Sequence, residues 1–68
     1  MSEIYAKTVY VVVQDERAIH VFYDYEKAID YIFMICMTNK EEISRNIRDY
    51  NQHNSDYGIF KVERAFID

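Results

Sequence analysis

A single cysteine, Cys36, in a chain of 68 residues closes off the covalent routes by which very small domains are usually held together. No internal disulfide can form, and Cys36 with His20 and His53 is too small and too scattered a set for a closed zinc site. Below about 70–80 residues a hydrophobic core by itself leaves little net stability, so a partner is the remaining source of it. Half of the residues are hydrophobic, too many for a disordered acidic tail. The longest unbroken apolar run, Tyr31 to Met37, is far too short to cross a bilayer. Met1-Ser2-Glu3-Ile4-Tyr5 carries an acid where a signal peptide carries a basic flank. The expectation is one soluble domain over residues 1–68, in the cytoplasm, with its thiol reduced.

Lys7 to Gln14 is dense in β-branched and aromatic residues, and so is Ala18 to Tyr23. The polar stretch between them, Gln14-Asp15-Glu16-Arg17, predicts a hairpin. With no Asn-Gly or Asp-Gly pair, a four-residue type I connection is expected. Asp24 can cap a helix whose apolar face is Tyr25, Ile29, Ile32, Phe33 and Cys36. Tyr31, Met34 and Ile35 point away from that face and need a cover of their own. Thr38 with Glu41, or Asn39 with Glu42, can stop this helix and start a second over about Lys40 to Gln52, striped by Ile43, Ile47 and Tyr50. That second helix could lid the orphan face of the first. His53 to Asp56 reads as a polar break. Tyr57 to Ile67 then alternates as a third strand, with Phe60, Val62 and Phe66 on one side and a bend at Gly58. The predicted fold is α+β in the order ββααβ: a three-stranded, mostly antiparallel sheet with two helices packed on one face. Neither side of the first two strands is polar, so the free sheet face also calls for a cover.

No residue pattern points to catalysis, a cofactor or a metal site. His20 and His53 have no supporting spacing to an acid, and Cys36 sits on an apolar helix face as a small buried hydrophobe. The acidic pairs lack the alternating oxygen ligands and central glycine of a calcium loop. Twelve acids against eight Lys and Arg, a net charge of -4, disfavour contact with nucleic acid. The local exception is Lys40, Arg45, Arg48 and Tyr50 on the second helix, which could touch phosphates and a base and would make a nucleic-acid or nucleotide-binding module the alternative reading. The interleaved Glu41, Glu42 and Asp49 favour a solvated face instead.

Seven tyrosines and four phenylalanines exceed what so small a core encloses, and tyrosine suits half-wet contacts. Tyr10, Val12, Tyr31, Met34 and Ile35 are therefore the expected protein-interface residues, serving self-association or a heterologous partner.

The strings VYVVV at Val9–Val13, HVFYDYEKAIDYI at His20–Ile32 and YGIFKVE at Tyr57–Glu63 carry a family resemblance. Their pattern, a hairpin running into (D/S)xEKAxxYI, resembles small early or accessory proteins carried by bacteriophages. The resemblance implies a hairpin-helix unit and a non-enzymatic factor that binds a host or phage protein to inhibit or redirect it, without any active-site residue. The acids here are sparser than in inhibitors that imitate duplex DNA. The expectation drawn from residues and resemblance together is a stoichiometric protein-binding factor that also forms a homo-oligomer, with no membrane contact.

Overall fold

The computed structural model describes residues 7–67. Tyr5 lies outside them. The elements are β1 (Lys7–Gln14), β2 (Arg17–Phe22), α1 (Tyr25–Cys36), α2 (Lys40–Tyr50), β3 (His53–Ser55) and β4 (Gly58–Ile67). They form one antiparallel sheet in the order β2-β1-β4-β3, with the two helices on one face. The α+β architecture follows the sequence expectation, but the order is ββααββ with four strands, because part of the expected polar break is itself a strand.

That strand, β3, follows no hydrophobic alternation. It is held by polar contacts: Ser55 Oγ donates to the Gly58 carbonyl at 2.9 Å and accepts from the Tyr57 N–H at 3.1 Å. His53 is buried, and its Nδ1 lies 3.1 Å from the side-chain amide nitrogen of Asn46. A buried imidazole bonded to α2 thus fixes where the chain turns back into the sheet. As a result α2 ends at Tyr50, two residues short of the expected end, and Asn51 closes it in the left-handed region with φ 61°.

The first connection also differs from expectation. Gln14 pairs with Arg17, so the turn has two residues, and both Asp15 (φ 51°) and Glu16 (φ 69°) are left-handed, as a type I′ hairpin requires. The missing glycine is compensated by tertiary bonds. The Asp15 N–H donates to the Ile59 carbonyl at 2.9 Å, and Asp15 Oδ1 accepts from the Ile59 N–H at 3.0 Å. Gln14 Nε2 adds a bond to the Tyr57 carbonyl at 2.6 Å. The β1–β2 turn is thereby tied to the β3–β4 turn. Gly58, with φ 122°, leaves the room: a Cβ there would stand 2.4 Å from Asp15 Oδ2. One residue of register is absorbed after Val12, where Val12 faces His20 but Val13 faces Ala18.

Both helices begin on side-chain caps. Asp24 accepts from the Glu26 N–H at 3.0 Å, and Asn39 accepts from Glu41 and Glu42 at 2.8 and 3.2 Å, which selects Asn39 over Thr38. Val12 and Phe60 from the sheet, Ala28, Ile29, Ile32 and Cys36 from α1, and Ile43 and Ile47 from α2 make one buried cluster. Fully burying each large member contributes about 1.5–3 kcal/mol. Across the helix pair, Lys40 Nζ reaches Asp30 at 2.5 Å and Glu26 at 3.4 Å. These are exposed ion pairs that orient α2 more than they stabilise it.

Gly58→Ala should lower stability by about 1–3 kcal/mol through backbone strain and displacement of Asp15. Asp15→Asn keeps the acceptor and tolerates the left-handed backbone, so in thermal unfolding it should lose less than Asp15→Ala. Equal melting of all three with the parent would show that the two turns do not support one another.

Candidate functional site

Side chains alternate along a strand, so the cluster around Val12 and Phe60 assigns both faces of the sheet. Toward the helices point Tyr10 and Val12 of β1, His20 and Phe22 of β2, and Phe60, Val62 and Arg64 of β4. The opposite face holds Val9, Val11 and Val13, with Val21 across from Val11, Ala65 across from Val9 and Ile67 across from Lys7. Ile59 continues this face beyond Lys61. Among the described residues no helix lies on this side. Val9 and Val13 are buried, Val11 is half-buried, and Val21, Ile59 and Ile67 are 55, 41 and 41% exposed. Lys61 and Glu63 are the charged residues among these aliphatics on β4.

The expected interface residues fall in different places. Val12 is 0% exposed at the centre of the core and offers no surface, which corrects its assignment as an interface residue. Tyr10 is half-buried on the helix side, edge-on to Tyr25 with ring centroids 5.5 Å apart. Tyr31 stacks on His20 at 4.9 Å and lies 5.4 Å from Phe22, so β2 rather than α2 covers this position. Ile35 is half-buried against the core, while Met34 is 69% exposed. Of the five, Met34 alone is fully on the surface, and the five form no single patch.

The cations of α2 do not converge either. Lys40 is turned to Glu26 and Asp30 on α1. Arg45 and Arg48 share a shallow surface with Glu41, and Tyr50 borders a separate hollow with Asn46 and Asn54. Arg48 Nε also bonds the neighbouring Asp49 at 3.2 Å.

A groove of about 340 Å³ that the sequence reading did not single out lies where α2 ends above β4. Tyr10 and Val62 form its floor, Tyr25 and Ile47 its sides, and Arg48 and Arg64 its charged walls. Burial, reinforced by the negative charge of Glu26, raises the Tyr25 hydroxyl above its ordinary 10.0, while Arg48 pulls the other way. The one early signal was the phase of Arg64: it shares the apolar side of its strand with Phe60, Val62 and Phe66.

Among the described residues no three His, Cys, Asp or Glu side chains gather where they could hold a metal ion, and no helix is long and apolar enough to cross a membrane. Comparison with family models, with curated proteins and with solved structures finds no match to this chain.

Because the folded-state value for Tyr25 lies above the unfolded one, its contribution to stability is complete below about pH 10 and is lost as the pH rises through the folded value. Tyrosinate absorbance should show a late-ionising component that Tyr25→Phe removes, and the variant's melting temperature should fall less steeply above pH 10. An unchanged titration in Tyr25→Phe would contradict this.

Proposed function

We propose that this chain is a non-enzymatic protein-binding module that pairs with a second copy of itself through the helix-free face of its sheet. The observation that carries the reading is the aliphatic surface of that face, where Val21, Ile59 and Ile67 are exposed around the half-buried Val11. An antiparallel sheet with one face left to water normally alternates apolar and polar residues, and β1 does not. Two such sheets pack about 10 Å apart with their side chains interdigitated, which would supply the third layer the monomer lacks. The charges suit a two-fold contact: Lys61 and Glu63 lie two positions apart, so one copy's lysine can meet the other copy's glutamate. The titratable groups support a binding role over catalysis, since His20 is stacked on Tyr31 and His53 is bonded to Asn46.

The likeness of Val9–Ile32 to phage accessory proteins extends the reading. Such a module would act in the host cytoplasm by occupying a surface of a larger host or phage protein, inhibiting or redirecting it one for one.

Native mass measurement should give twice the chain mass. Val21→Asp should shift the population to single chains while changing the monomer's stability by no more than about 0.5 kcal/mol, because Val21 is already more than half exposed. A wild-type protein that runs as a single chain at high concentration and takes up no hydrophobic dye would overturn the reading.

A further inference from the structure

Along β4 the pairing is lopsided. On one side β1 accompanies the whole of Lys7–Gln14, whereas on the other β3 stops at Phe60. From Lys61 to Ile67 the outer edge of β4 has no strand neighbour among the described residues, and no backbone hydrogen bond from a turn or loop reaches it. Outward N–H and C=O groups on such an edge are a template for an extended chain.

The groove walled by Arg48 and Arg64 opens onto this edge, because Val62 and Arg64 belong to the unpaired stretch. Beyond them Phe66 continues the same face and is 67% exposed. Arg64 makes no ion pair among the described residues, and Arg48 holds only its exposed neighbour Asp49. Two guanidiniums beside an aromatic and aliphatic floor, in a chain of net charge -4, form a local positive site that a carboxylate complements.

We infer that this edge and groove bind an extended acidic segment of a partner protein as a fifth strand. Its central Asp or Glu lies opposite Arg64, with apolar residues two positions away on either side, opposite Val62 and Phe66. The pattern reads the same in either strand direction. It is set by cross-strand pairing, which rewards opposite charges and apolar matches on one face. A second copy of this chain paired two-fold about any residue from Val62 to Ala65 puts no acid opposite Arg64. Two-fold pairing centred on Arg64 sets guanidinium against guanidinium, and pairing centred on Glu63 sets carboxylate against carboxylate. Centring on Val62 runs the copy into β3, and centring on Ala65 leaves Arg64 opposite Phe66. Its side-chain contacts are with Val62, Arg64 and Phe66, which lie on the helix side of the sheet and not on the helix-free face.

The test is fluorescence anisotropy of the intact chain with a labelled peptide centred on Val-Thr-Glu-Thr-Phe. The Glu peptide should bind, and replacing its Glu by Gln, or Arg64 by Ala, should weaken binding by about tenfold or more. Arg64→Glu should abolish binding of the Glu peptide and restore it for a Lys peptide. Lys27→Ala, on the exposed side of α1, should change nothing. Methylating an edge-facing amide of the peptide should also abolish binding. Absence of binding to the wild-type chain, equal binding of Glu, Gln and Lys peptides, or free glutamate competing as well as the peptide would each overturn the inference. Native mass read in the same samples separates this outcome from the fate of the dimer, since Val21→Asp should leave peptide binding intact. Circular dichroism of the Arg64 variants establishes that they are folded.

Discussion

The sheet depends on one strand that is apolar on both sides. β1 lies between β2 and β4, and its alternation sends Val12 into the helix-covered core while sending Val9, Val11 and Val13 the other way. The two helices can cover only one of these faces. With 68 residues and no covalent staple, the chain has no third layer to spend on the second face. The helix-free aliphatic surface therefore follows from the sequence of β1 combined with the length of the chain, and it is the feature from which the binding reading grows.

Much of the architecture was legible because local chemistry and burial agreed. Lys7–Gln14 emerged with its predicted ends, the caps Asp24 and Asn39 sit where their side chains predicted, and the phase of Phe60, Val62 and Phe66 holds. What escaped was decided by contacts distant in sequence. The tight turn at Asp15–Glu16 has no glycine to announce it, since its left-handed backbone is supported by Ile59. β3 is polar and short, and its signal is the bond between His53 and Asn46 rather than any period. Val12 was misplaced because a strand apolar on both sides does not reveal which side meets the helices. The groove depends on how far α2 extends, which the pattern of Ile43 and Ile47 could not fix.

The distribution of cations sharpens the picture of what this surface can recognise. Lys40 is occupied with the acids of α1, and its hydrogen bond to Asp30 raises its affinity for the proton above the ordinary lysine value. Arg45 lies amid acids on α2. Arg48 and Arg64 come together only because β4 and the end of α2 meet, although they are far apart along the chain. Among the described residues Arg48 and Arg64 thus gather beside Tyr10 and Tyr25 in a chain of acidic overall balance. In the proposed reading this arrangement serves a polypeptide partner, since a phosphate backbone is bound best by positive charge spread along its length.

The tie between the two turns spans 44 residues, from Asp15 to Ile59. β1 and β2 can pair as a local hairpin before β4 docks, which leaves the central strand with one edge open and both apolar sides uncovered until then. Closing a sheet over so long a stretch of chain is slow in entropic terms. The order of events is thus local hairpin first and the long-range tie from Asp15 to Ile59 last. A substitution that weakens the tie between the two turns should therefore act mainly on unfolding rather than on the rate of hairpin formation.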